Sequence, residues 1–207
     1  MIISISGFIN SGKDSVADYL VNEHNFVRAS WADSVKDSVS VIFGWDRELL
    51  EGRTLKSRAW RETVDIWWAE RLSISNLTPR LVLQEYATEI MRDNFHSEIW
   101  IASLERKLLS ASENIVITDC RFINELQCVK RLGGITARVV RGDDPEWLDE
   151  YKRTGRTLQF AKKYKNIHAS EYSSIEWDYD CVIDNNGPLA LTYESVKNLL
   201  LNLHESS

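Results

Sequence analysis

Apolar residues along the chain fall into two patterns. Short runs rich in β-branched residues, at Met1–Ser6, Phe26–Ser30, Asn114–Asp119, Ile135–Arg141 and Tyr179–Asp184, are bounded by turn formers and predict strands. Between them, apolar positions recur at helical spacing. Val16, Ala17 and Leu20 open a first helix that ends near His24, and Val64, Trp67, Trp68 and Leu72 continue the period in a stretch, Trp45 to Leu72, with no strand pattern. Thr78-Pro79 marks a sharp helix start, with a cap residue and then proline in the first turn, and this helix runs to Arg92. Further helices are predicted from Trp31 or Ala32 onward with Asp33 or Ser34 as cap, from Glu98 to Ser110, from Phe122 to Leu132, and from Leu189 to Leu203. Strands separated by helices predict an α/β fold built on a buried parallel sheet.

The first strand runs directly into Gly7-Phe8-Ile9-Asn10-Ser11-Gly12-Lys13-Asp14-Ser15. This spacing fits the phosphate-binding P-loop through its lysine, but Asp14 stands where Ser or Thr is expected. Such a loop turns backbone N–H groups toward an anion, and the helix that follows adds the positive end of its dipole. Gly7 and Gly12 would permit the close approach, Asn10 and Ser11 would complete the cradle, and Lys13 would reach the β- and γ-phosphates. The metal ligand that the usual hydroxyl supplies would fall to Asp14 or to Ser15. The competing explanation is a glycine turn whose Asp or Ser only caps a helix.

Other candidates follow from placement. Asp33 and Lys36 lie three apart on one helical face, near the crevice where open α/β sheets bind ligands, or else form an ordinary surface ion pair. Arg80, Gln84, Thr88 and Arg92 are four apart and form one polar ridge, with Val82, Leu83, Tyr86, Ile90 and Met91 opposite. Two arginines bracketing an amide and a hydroxyl suit a phosphate and a base edge, and a solvated ridge has the same spacing. Asp119 ends a buried strand at its ligand edge, where it would hold Mg²⁺ directly or through water, with Arg121 aimed at phosphates; a helix-capping aspartate is the alternative. After Arg141 the chain turns basic, with Lys152, Arg153, Arg156, Lys162, Lys163, Lys165 and His168 in a segment of little apolar periodicity. A mobile basic cover over phosphates fits this composition, and so does a disordered basic loop.

Composition narrows the setting. The chain of 207 residues suits one domain and a substantial core, and 25 basic against 31 acidic residues give a net charge of −6, which argues against a nucleic-acid coat. Cys120, Cys128 and Cys181 form no C-x-x-C pair and are odd in number, so they predict buried thiols of a reducing cytoplasm and neither a disulfide framework nor a zinc site. No secretory signal and no apolar run of spanning length is present, so a cytoplasmic protein without a membrane partner is expected. Eight tryptophans supply either base-stacking surfaces or, more commonly, the packing of long helices.

The residues Ser11-Gly12-Lys13-Asp14, Trp31-Ala32-Asp33-Ser34-Val35-Lys36, Leu83-Gln84-Glu85-Tyr86-Ala87-Thr88-Glu89, Trp100 and Thr118-Asp119-Cys120-Arg121-Phe122 recur in one family. On them the chain resembles the deoxynucleoside monophosphate kinases of tailed bacteriophages, with Ile167-His168-Ala169-Ser170-Glu171 and Val182-Ile183-Asp184-Asn185-Asn186-Gly187 in the same style. The Lys-Asp ending of the loop belongs to that pattern and is similar to animal phosphomevalonate kinases. The resemblance implies a P-loop kinase fold over residues 1–207, with a five-stranded parallel sheet, a helical acceptor-binding part near 32–95 and a lid near 141–170. It further implies ATP and Mg²⁺ as cofactors and phosphoryl transfer to a dNMP. Lys13 and the loop amides would hold ATP, and Asp119 with Asp14 or Ser15 would hold the metal. Arg80, Arg92, Arg121 and Arg141, helped by Arg153 or Arg156, would handle the acceptor or transferring phosphate, and Asp33, Lys36, Gln84 and Thr88 would contact substrate. A homodimer is compatible with this picture. The alternatives are a P-loop kinase acting on a hydroxymethylated pyrimidine in DNA, for which Asp33 would be the base, and a nucleotide-binding switch, against which no Asn-Lys-x-Asp signature is found.

Overall fold

A computed structural model describes residues 1–165, 167 and 172–205. Two compact units divide the chain, one made of Met1–Ala29 with Ala111–Ser207 and the other of Ser30–Ser110.

In the first unit β1 (Ile2–Ser6), α1 (Lys13–His24) and β2 (Phe26–Ala29) precede the second unit; β3 (Asn114–Ile117) and β4 (Ile135–Val140), and later β5 (Cys181–Asp184), follow it. The five strands form one sheet in the order β2-β3-β1-β4-β5, with every pair parallel. The sheet is parallel because its strands are apolar on both faces and must be covered on both. Ile3, Ile5, Val116, Ala137, Val139 and Ile183 are buried in its middle, with Val16, Ala17 and Leu20 of α1 and Val196 and Leu200 of the closing helix packed on them. The connections leave β1 in opposite directions, first toward β3 and β2, then toward β4 and β5, so the strand order reverses beside β1. Ligands of open parallel sheets bind at the carboxyl ends of strands at such a point, and the glycine loop starts there.

The second unit has no strand among its described residues. It comprises α2 (Asp33–Phe43), α3 (Arg47–Glu51), α4 (Leu55–Arg61), α5 (Ile66–Leu72), α6 (Pro79–Gln84) and α7 (Ile99–Leu109), with a π-helical stretch, Glu85–Asp93, continuing α6. Its core gathers Val35, Val39, Trp45, Leu50, Leu77, Leu83 and Trp100, with Phe43, Trp60 and Trp68 against them. The tryptophans serve packing here: the Trp45 ring stacks on Phe43 at 4.4 Å and meets Trp60 edge-on at 6.0 Å. Trp67 departs from the pattern and is exposed.

Three expectations are corrected. Neither Asp33 nor Ser34 caps α2: Ala32 holds the cap position, while the Asp33 carboxylate turns back to accept from Ser30 N at 2.8 Å and the Ser34 hydroxyl meets Ser103 at 2.7 Å. The Thr78 helix begins as predicted, its hydroxyl accepting from Leu81 N at 3.1 Å, but it widens after Gln84. There the Trp100 indole N–H donates to the Ala87 carbonyl at 2.9 Å, an acceptor an α-helical ladder would use, and side-chain insertion of this kind opens a helix. The wider turn rotates Ile90 out, leaving it 54% exposed rather than in the apolar row. Finally, the basic segment is structured over α9 (Glu146–Thr154) and α10 (Leu158–Lys163); α8 (Ile123–Arg131) and α11 (Leu189–Glu205) are further helices of the first unit. Trp147, Leu148, Phe160 and Tyr172 form a buried aromatic cluster that includes Phe8 of the glycine loop. His168, Ala169, Ser170 and Glu171 lie outside the described residues.

Candidate functional site

Between β1 and α1 the chain is shaped by its glycines. Gly12 stands at the N-cap of α1 with φ +95°, and no side chain caps the helix. The amides of Asp14 and Ser15, in the first turn of α1, have no i−4 acceptor within the helix and no side-chain cap among the described residues, an arrangement that suits an anion. Asn10 takes the left-handed conformation at φ 65°, which asparagine tolerates. Lys13 Nζ donates to the carbonyls of Gly7 and Phe8, each at 2.8 Å, so the ammonium is held over the loop. Inside it, the buried Ser11 hydroxyl has no hydrogen-bond partner among the described residues. Uncapped amides, a lysine over the turn and an orphaned hydroxyl fit a nucleotide phosphate.

The loop is held from behind by residues the spacing did not single out. Asn185 Nδ2 donates to the Ser11 carbonyl at 2.8 Å, and its Oδ1 accepts from Thr192 Oγ1 at 2.8 Å, both bonds being buried. Asn185 itself is anchored by its N–H to Val140 O at 2.9 Å. A polar residue directly after a buried strand sits at the ligand edge, and Asn185 directly follows β5. Phe8 is held between the Arg138 guanidinium, 5.3 Å from its ring, and the edge of Trp147 at 5.7 Å.

Of the metal candidates, Asp14 is drawn sideways. Its carboxylate accepts from Arg28 Nη1 at 2.9 Å, and the same guanidinium reaches Asp18 at 2.8 Å. Ser15 stays in the first turn of α1. Asp119 follows β3, and its neighbour Cys120 accepts a hydrogen bond from Ser6 Oγ at 3.1 Å, one residue before Gly7. The aspartate's loop is thereby tied to the start of the glycine loop. The capping alternative is filled by another residue: the N-cap of α8 is Phe122, and the buried Glu125 carboxylate accepts from Arg121 N and Phe122 N at 2.8 and 3.1 Å. Arg121 and Arg141 are exposed just beyond β3 and β4.

The second unit holds the remaining candidates and does not gather them in one place. Asp33 and Lys36 are members of an ion-pair network: Asp33 Oδ1 meets Arg47 at 3.1 Å, and Lys36 meets Glu51 at 2.9 Å, where Arg47 also binds. Burial alone would raise the Glu51 carboxyl, but hydrogen bonds from Lys36 and Arg47 hold it below the ordinary carboxylate value. A carboxyl lowered in the folded state stabilises above its unfolded pKa, and that stabilisation is lost as pH falls through the folded value. Thermal unfolding is thus expected to show Glu51→Gln clearly less stable than wild type at pH 7, with the two converging as pH falls through the lowered Glu51 value; a gap that persists at low pH would contradict the network. Arg80 lies elsewhere, with Glu62 at 3.3 Å, on a cavity that Arg58, Ala59 and Arg61 also line. Gln84 and Thr88 are exposed farther along the helix, and Arg92 is partly buried in the π-helical stretch.

No family model matches the chain. A protein of Acanthamoeba polyphaga mimivirus, provisionally assigned as a deoxynucleotide monophosphate kinase, is 29% identical over 155 residues, covering 68% of this chain and 74% of that protein. The deoxynucleotide monophosphate kinase of Enterobacteria phage T4 is 21% identical, with 96% of this chain and 98% of that protein covered. The deoxynucleoside-5′-monophosphate kinase of Escherichia phage T5 is 25% identical over 60% of this chain and 70% of its own length. Among solved structures, TT1252 from Thermus thermophilus aligns over 98% of this chain and 97% of that one at 19% identity with a TM-score of 0.49, a likeness too distant to carry argument. The parallel sheet, its strand order and the glycine loop at the head of α1 have the architecture of a P-loop kinase. No helix among the described residues is long and apolar enough to cross a membrane.

Proposed function

We propose that the protein transfers the γ-phosphoryl group of ATP to a deoxynucleoside 5′-monophosphate. The observation that carries the donor half is the loop itself, with its uncapped amides, Lys13 held over it and the unpartnered Ser11 hydroxyl. The acceptor half is supported by the shared naming of the three relatives, each a deoxynucleotide kinase.

The acceptor is already an anion, so the reaction needs alignment and charge neutralisation rather than a base. Asp33, the base a hydroxyl acceptor would require, is held by Ser30 N and Arg47, which favours a phosphate acceptor over a hydroxymethylated base in DNA. Lys13 and the amides of the first turn bind the β- and γ-phosphates. Mg²⁺, when bound, neutralises phosphate charge. Ser15 and Asp119 are the side chains we assign to that ion, with Asp14, whose exposed carboxylate also pairs with Arg28, able to join them; one or two protein ligands suffice, since Mg²⁺ is otherwise held by phosphates and water. Arg121 and Arg141, exposed beyond the ends of β3 and β4, neutralise the transferring group. α9 and α10 serve as the lid, with Arg153 and Arg156 as its cations, and the second unit serves as the acceptor-binding part.

ADP release coupled to NADH oxidation, measured with ATP-Mg and each dNMP in turn, tests the transfer. At least one dNMP is expected to accelerate release, and a rate unchanged by all of them sinks the acceptor assignment and leaves the nucleotide switch. Asp119→Asn is expected to lower kcat by about 10²-fold, the cost of one preorganised charge, with a smaller change in ATP affinity. Equal losses in both would remove Asp119 from the metal.

A further inference from the structure

The second unit carries a cationic cavity. It measures ≈ 330 Å³ and is lined by Arg58, Ala59, Arg61, Glu62 and Arg80. Arg58 and Arg61 lie three apart on one face of α4, and Arg80 comes from the first turn of α6. Three guanidinium groups face one carboxylate, leaving a surplus of two positive charges, which matches a phosphomonoester at neutral pH.

The guanidinium groups are poised rather than spent. Arg58, which lines the cavity, donates from its Nε to the Gly52 carbonyl at 3.0 Å, a bond that orders the side chain. Arg61 makes one long contact to the Glu51 carbonyl at 3.5 Å, and its buried Nε has no partner among the described residues. Burial first, and the neighbouring Arg80 second, hold Arg61 below the usual arginine range. A desolvated cation beside a like charge is an unfavourable arrangement that an anion would relieve. The Arg80 guanidinium pairs with Glu62 at 3.3 Å, an exposed pair of the kind that contributes little in water.

We propose that this cavity seats a phosphomonoester dianion, and that Glu62 stands in for it on Arg80 until it binds. That this anion is the acceptor's phosphate rests on the transfer proposed above; the seat itself does not. Glu51, which might have neutralised the group, is engaged by Lys36 and Arg47, so Glu62 is the acid in the cavity lining that competes with the ligand. Arg58 and Arg61 thus belong with Arg80 as binding residues, and Glu62 sets the affinity.

The test is calorimetric titration of the whole protein with inorganic phosphate, the glycine loop being filled beforehand with a non-hydrolysable ATP analogue. Arg61→Met is expected to weaken phosphate binding about 10-fold or more, as the loss of a charge-assisted hydrogen bond does. Arg58→Ala, an exposed change that leaves the core intact, is expected to weaken it several-fold, and Glu62→Gln to tighten it several-fold. Unchanged affinity in both arginine variants overturns the seat, and weaker binding in Glu62→Gln overturns the stand-in. Loss of phosphate binding in the arginine variants, with no dNMP accelerating ADP release in wild type, supports the seat and removes the kinase assignment. Turnover of a dNMP with a KM unchanged in Arg61→Met, while that variant still loses phosphate binding, keeps the seat and the kinase assignment but shows that the seat does not hold the acceptor's phosphate.

Discussion

Replacing Lys13 by alanine is expected to slow phosphoryl transfer about 10²–10³-fold, the usual cost of removing one preorganised charge from a transferring group. The protein should stay folded. The two bonds that the ammonium makes, to the Gly7 and Phe8 carbonyls, are partly buried and part of the loop surface, so each is worth about 1 kcal/mol net. Water can reach acceptors placed there. Because the same lysine binds donor phosphates in the ground state and in transit, kcat/KM for ATP should fall more than kcat alone. Steady-state kinetics together with a melting curve decide the matter. A variant within tenfold of wild-type activity excludes Lys13 from the transfer, and a collapsed melting curve shows that the lysine holds the loop instead.

The strands and the glycine loop were legible because their signals are local. A run such as Ile115-Val116-Ile117 can be buried on both faces only in a parallel sheet, and Gly7 to Lys13 carries its geometry in seven consecutive residues. The basic segment was harder to read: α9 and α10 have nine and six residues, too few for a period to show, and their aromatic side chains find one another only after folding. The widening after Gln84 depends on an indole 13 residues away along the chain. The ridge of Arg80, Gln84, Thr88 and Arg92 assumed an unbroken α-helical row, which the π-helical stretch after Gln84 interrupts, and Arg80 lines a cavity with Arg58 and Arg61 of another helix. Asp14 stood out as a mismatch in the motif, while its partner Arg28, on β2, gave no sign of the pair in sequence. Asn185, which buttresses the loop, is 174 residues from the Ser11 carbonyl it binds.

Gly7→Ala is expected to do more damage to stability than any change of a charged residue in the loop. Gly7 has φ +147°, and a Cβ there would lie 2.4 Å from the Val139 carbonyl oxygen and 2.7 Å from Ser11 Oγ. The Ser11 hydroxyl can rotate, but Val139 is in register with Ile183 of β5 near the carboxyl end of β4, and its carbonyl cannot withdraw without disturbing that end of the sheet. Backbone strain at a positive φ and overpacking of a filled site together cost about 3 kcal/mol. For a chain of this length that corresponds to a drop of roughly 6–12 °C in melting temperature. Gly12→Ala offers the contrast. Gly12, at φ +95°, is strained by a side chain as well, but the added Cβ would meet Asn185 Nδ2 at 2.2 Å, the far end of a side chain rather than strand backbone, so the sheet is spared and the bond from Asn185 to Ser11 is what breaks. The two variants should therefore separate: Gly7→Ala lowers stability through the sheet, whereas Gly12→Ala melts closer to wild type and loses nucleotide binding because the amides of α1 are no longer aligned. Melting curves and ATP titrations of both proteins provide the comparison. Equal melting temperatures for Gly7→Ala and wild type would mean that the loop and β4 move apart easily, contrary to the close approach seen here.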